Sequence, residues 1–117
     1  MIRIEERRQI HQFIILELAI QSLQKDYPVL ETLKMNTVYL LIVENLLKSV
    51  KNDYYNLKRV LKKQKIVVVK WEKVDMYFSD VTITTTGEDE VLRYAQHALR
   101  SEVEELIIGQ IKSHSLF

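Results

Sequence analysis

Residues 52–92 read NDYYNLKRVLKKQKIVVVKWEKVDMYFSDVTITTTGEDEVL, and the fold turns on how they are parsed. The stretch opens as a basic helical pattern, changes period at Lys65 and passes through β-branched and aromatic residues. It ends on Gly87 followed by Glu88, Asp89 and Glu90. Ile66, Val67, Val68, Val69 and Trp71 are strand formers, as are the pieces Met76–Phe78 and Val81–Thr85. A β-hairpin is expected, turning at Glu72–Asp75. Tyr77, Val81, Ile83 and Thr85 share one face of it, Met76 and Phe78 the other, and Ser79 with Asp80 marks a bulge or second turn. Thr85 and Thr86 offer a hydroxyl cap ahead of Gly87, and three carboxylates follow where a helix dipole is positive. A last helix is therefore expected to open at Gly87, with Val91, Tyr94, Ala95, Ala98, Leu99, Val103, Leu106, Ile107 and Ile111 as its apolar stripe.

Upstream, Tyr39, Val43, Leu46, Val50, Tyr54, Leu57 and Leu61 recur at three- and four-residue intervals, the spacing of one helix face. Two readings stay open here. One is a single helix over residues 36–63, capped by Asn36 or Thr37; the other breaks at Lys51, Asn52 and Asp53, with Asp53 capping a new helix. The first helix runs from Ile4 to about Asp26, where Pro28 forces its predecessor out of helical geometry. Its apolar residues, Ile10, Phe13, Ile14, Leu16, Leu18, Ile20 and Leu23, cover an arc wider than a surface helix needs. That breadth predicts burial on most sides, or a homodimer through the terminal helices.

The 117 residues suit one domain spanning 1–117, and 47% apolar with 28% charged residues is a globular composition. The expected fold class is α+β and mainly helical: three or four helices plus one β-hairpin inserted before the C-terminal helix. The net charge of +1 gives no long-range pull toward a polyanion. With no cysteine, disulfides, thiolate metal sites and cysteine nucleophiles are excluded, and the cytoplasm is the default compartment. The run Phe13–Ile20, interrupted by Glu17, is far shorter than the ~20 residues a bilayer demands, so neither a membrane span nor a membrane partner is expected.

Charge is distributed unevenly. Lys58, Arg59, Lys62, Lys63, Lys65, Lys70 and Lys73 face the single acid Glu72, whereas residues 88–105 are acidic. Basic residues on a helix end and a hairpin are what phosphate neutralisation requires, and Asn52, Tyr55 and Asn56 could add phosphate or base-edge hydrogen bonds. The same lysines also suit a helix C-terminus and an edge strand guarded against aggregation. His11, His97 and His114 share no metal-ligand spacing, so no metal or cofactor is expected. Glu17 reads either as a buried acid with a raised pKa or as the wet strip of its helix. Ser79 and Thr84–Thr86 are explained by turns and caps, which leaves no catalytic candidate and no small-molecule substrate. Trp71, Tyr77 and Phe78 resemble an aromatic stacking platform but fit a hairpin core equally. Leu116 and Phe117 are apolar enough to dock.

The stretch Tyr54-Tyr55-Asn56-Leu57-Lys58-Arg59-Val60-Leu61-Lys62-Lys63-Gln64-Lys65-Ile66 resembles the recognition helix and first wing strand of a winged helix-turn-helix domain. Thr84-Thr85-Thr86-Gly87-Glu88-Asp89-Glu90-Val91-Leu92 is similar to the turn by which such domains leave the wing. The resemblance implies a small, non-enzymatic DNA-binding regulator of transcription, holding double-stranded DNA through Asn52, Tyr55, Asn56 and the seven cations above. The alternative is an accessory protein that binds another protein or serves a structural role, with no nucleic-acid activity. A single helix through residue 52 would leave no helix-turn-helix.

Overall fold

A computed structural model describes residues 2–113; the expectations for His114, Leu116 and Phe117 lie outside them. The order is α1 (Ile4–Leu30), α2 (Asn36–Lys63), β1 (Ile66–Lys73), β2 (Phe78–Thr85), β3 (Glu88–Ala95) and α3 (Gln96–Ser113). The fold is α+β and mainly helical, with the strands placed before the C-terminal helix. Where one hairpin was expected there is a three-stranded antiparallel sheet, ordered β1-β2-β3.

Helix α1 is the hub. Phe13, Ile14, Ile15 and Leu16 are consecutive and all buried, which a helix achieves only when neighbours cover it on several sides. Helices α2 and α3 both pack on it, which covers much of its broad apolar arc within one chain. The helix also runs past its expected end at Asp26 to Leu30, with Pro28 inside its last turn. It closes in tight turns, the amides of Thr32 and Leu33 donating to the carbonyls of Val29 and Leu30.

Helix α2 passes through Lys51, Asn52 and Asp53 without a break. The one-helix reading holds, and these residues form no helix-turn-helix. Val50 is fully buried and Tyr54 stacks on Phe13 at 4.7 Å, so the apolar face continues across the suspected turn. The Asp53 carboxylate, expected to cap a new helix, instead accepts a 2.8 Å hydrogen bond from the Gln110 side chain of α3.

The expected helix start at Gly87 is the main correction. Thr86 (φ 39°) and Gly87 (φ 88°) form a two-residue hairpin turn closed by the Thr85–Glu88 pair, and Glu88–Ala95 is a strand. The carboxylates read as a helix-dipole cluster work across strands and elements: Asp89 accepts from the Thr84 hydroxyl at 2.6 Å and Glu90 from Arg7 at 3.1 Å. Val91, Tyr94 and Ala95 matched a helical stripe by spacing alone. In the strand, Leu92 and Tyr94 lie against the core while Val91 points outward. Helix α3 begins at Gln96, whose amide donates to Tyr77 O at 2.8 Å and whose side chain donates to the Ser79 hydroxyl at 2.9 Å.

The first turn of the sheet sits later than expected, at Val74–Tyr77. The Asp75 carboxylate accepts from the amides of Tyr77 and Phe78 at 2.7 and 2.9 Å, an Asx-type turn. The irregularity expected at Ser79 and Asp80 lies across the ladder, between Val68 and Lys70 of β1. Val81 and Ile83 do share the buried face, as expected, but Ser79 joins them.

A β-branched residue at φ 39° is costly, because its side chain crowds the backbone in the left-handed region. Thr86→Asn keeps a turn-forming side chain and removes that branch, so it is expected to stabilise the fold by about 0.5–1 kcal/mol. Thermal unfolding followed by circular dichroism measures this, as a higher Tm than wild type.

Candidate functional site

The ten residues singled out for nucleic-acid binding lie on α2, in the α2–β1 turn and on β1, in several different surroundings. Arg59 and Lys63 are exposed on the last turns of α2, and Arg59 donates a hydrogen bond to Asn56. Asn52 is exposed about two turns before Arg59, and Tyr55 stands edge-on to Tyr54. Lys65 occupies the α2–β1 turn at φ 60°. Lys58 and Lys62 line a cavity between α2 and β1. Lys70 is ion-paired with Glu72 at 3.5 Å, and Lys73 lines a different cavity beside Asp26, Arg100 and Glu104. The proposed aromatic platform is likewise divided: Trp71 lines both cavities, while Tyr77 and Phe78 are exposed at the sheet's turn.

The α2–β1 cavity measures about 480 Å³. Phe13 and Glu17 of α1 reach it, facing Tyr54, Lys58, Leu61 and Lys62 of α2 and Ile66–Val69 with Trp71 of β1. Glu17 is neither fully buried nor on a wet strip. Burial pushes its carboxyl above the ordinary glutamate value, opposed by a hydrogen bond from the Trp71 side chain and by the charge of Lys58. The signal for this site was Glu17 alone in an apolar run; its partners on α2 and β1 come from long-range packing that no local pattern announces.

A second surface was missed altogether. The α1–α2 connection and its flanking turns expose Val29, Leu33, Met35, Val38, Tyr39 and Leu41, with Val29 at 62% and Leu41 at 59%. The polar links joining α3 to the other helices, His11–Glu102, Ser49–Gln110 and Asp53–Gln110, all lie outside residues 29–41. Each residue was legible as apolar, but the helical spacing of Tyr39 and its successors assigned this end of α2 to a core.

The family model described as YhjD protein matches residues 1–114, which spans all six elements. The chain belongs to the YhjD family. No curated protein and no solved structure matches it. The YhjD match runs through the hairpin tip, the α2–β1 cavity and α3 alike, so both surfaces belong to one family unit. Among the described residues, no helix is long and apolar enough to cross a membrane.

The Glu17 shift makes a signed prediction. A carboxyl whose folded pKa is raised contributes most to stability below its unfolded pKa, and that contribution is lost as pH rises through the folded value. Glu17→Gln keeps the acceptor for Trp71 and removes the charge. It is expected to be more stable than wild type at neutral pH, with the advantage disappearing on the acid side of the carboxylate range. Urea unfolding of both proteins at the two pH values, read by Trp71 fluorescence, measures it.

Proposed function

We propose that this chain is a non-enzymatic interaction protein that self-associates through the tip of its α1–α2 hairpin. The observation that carries the reading is the number of large apolar side chains, Val29, Leu33, Met35, Val38, Tyr39 and Leu41, left exposed at the end of α1, in the α1–α2 connection and on the first turns of α2. Single apolar residues are ordinary on a surface, but this many within residues 29–41 supports a contact site there.

A second copy is the occupant that suits it. The flanking charges are Lys25, Lys34 and Lys48 against Asp26, Glu31 and Glu44, so the tip carries no net field to select a partner of one sign. An isologous interface needs a self-complementary patch, which mixed charges around an apolar centre provide. Duplex DNA binding through the basic set is the competing reading. The continuity of α2 and the dispersal of Lys58, Lys70 and Lys73 to separate surroundings weigh against it.

Light scattering over a concentration series is expected to give a monomer–dimer equilibrium. Leu41→Lys places an ammonium at the centre of the contact, and its wild-type side chain is exposed in the single chain, so the fold is kept. It should raise the dimer Kd by about tenfold or more, because the symmetric contact then carries two unpaired ammonium groups, one from each copy. A wild-type chain that remains monomeric throughout, or a dimer indifferent to Leu41→Lys, overturns the proposal. In fluorescence anisotropy, labelled random duplex should show no salt-sensitive binding; binding that weakens steeply with salt and is lost in Lys62→Gln/Lys63→Gln restores the DNA reading.

A further inference from the structure

The α2–β1 cavity has a chemistry that self-association at the tip does not use. Its volume of about 480 Å³ lies within the range of small-molecule sites. Its walls are apolar: the stacked rings of Phe13 and Tyr54 on one side, and Ile66, Val68 and Trp71 of the edge strand on the other. The ionisable side chains lining it are Glu17, Tyr54, Lys58 and Lys62.

Lys58 and Lys62 stand four residues apart on α2, so their stems project from the same helix face, and both are exposed. Glu17 lies near Lys58, and Lys62 forms no salt bridge among the described residues. Two ammonium groups therefore stand over an apolar cavity that holds a single carboxylate. We propose that this cavity binds a small apolar anion, an organic molecule with an aryl or acyl body and one carboxylate or sulfonate group. The body lies among Phe13, Tyr54, Trp71 and Val68, and the acidic group meets Lys58 and Lys62. An organic cation is the opposite solution. It would find aromatic faces, but it would approach past two ammonium groups toward a carboxylate that already has the charge of Lys58 beside it.

Trp71 is the only tryptophan, so its emission reports on the cavity wall. The probe is 1-anilinonaphthalene-8-sulfonate, an apolar anion that keeps its charge across the working pH range, compared with uncharged N-phenyl-1-naphthylamine of nearly the same body. Saturable sulfonate binding with quenching of Trp71 is expected. Lys58→Gln/Lys62→Gln should weaken the sulfonate by about tenfold or more, the loss of roughly one charge-assisted contact, and leave the uncharged dye unchanged. Glu17→Gln should strengthen the sulfonate, since it removes the one opposing charge. Far-UV circular dichroism of the variants checks that the fold is kept. Failure of the sulfonate to saturate, wild-type affinity in the double lysine variant, or weaker binding in Glu17→Gln overturns the assignment.

Discussion

The enclosure of α1 is the constraint from which the rest follows. Ile10, Ile14 and Ala19 have no exposed surface, and Phe13–Leu16 are buried in succession, so the helix needs cover on more than one side. Helix α2 supplies one wall through the Phe13–Tyr54 stack. Helix α3 supplies another, crossing near His11, whose ring nitrogen lies 2.9 Å from Glu102 and whose ring stacks on Tyr94. The sheet closes the remainder, with Val81 and Ile83 fully buried beneath it. Ion pairs at the rim, such as Arg7–Glu90 between α1 and β3, are exposed and contribute little stability.

Helix α1 accepts one interruption to its apolar surface. Glu17 lies partly buried where α1, α2 and β1 meet, and the cost of its desolvation outweighs the opposing effects of Trp71 and the neighbouring Lys58. A carboxylate in that position keeps the three elements from closing completely, since its oxygens need donors rather than methyl groups. The cavity beside it is the geometric consequence. Replacing an ionised group among apolar walls by a packed hydrocarbon is often stabilising in proteins, so an acid at such a junction is not explained by stability.

The residues differ in how much of this they disclosed. Period and composition identified α1, the helical character of residues 36–63 and the first two strands, because Ile10–Leu23 and Tyr39–Leu61 repeat at helical spacing and Ile66–Val69 are β-branched, but they left one helix or two open over 36–63. The third strand was hidden. Val91, Tyr94, Ala95 and Ala98 satisfy helical spacing as well as Leu92 and Tyr94 satisfy alternation, and Thr86-Gly87 serves a cap and a hairpin turn equally well. What decided between them was pairing with β2, where Arg93 makes bonds of 2.8 and 3.0 Å to Asp80 and so holds that carboxyl below its ordinary range. Pairing is a long-range property, and a local window cannot weigh it. The site residues divide the same way: Lys58 and Lys62 were singled out for charge, yet what gives them a shared setting is Phe13 and Glu17, some forty residues away in the chain.

The continuity of α2 sets how these surfaces relate. A helix of 28 residues is about 42 Å long, close to the 51 Å longest dimension of the molecule. Its first turns carry the exposed Val38, Tyr39 and Leu41, and its last turns carry Lys58 and Lys62 over the cavity. Between them, Val50 is buried and Asp53 is held by Gln110, which pins the middle of the rod to α3. A broken α2 would have folded its basic end back toward the core as a separate recognition helix. An unbroken one holds apolar tip and basic end apart on a stiff element, so contact at one end leaves the other open. Substitutions at Leu41 and at Lys62, about 30 Å apart along the axis by helical rise, should therefore act independently, as sites well beyond ~10 Å with no shared partner do.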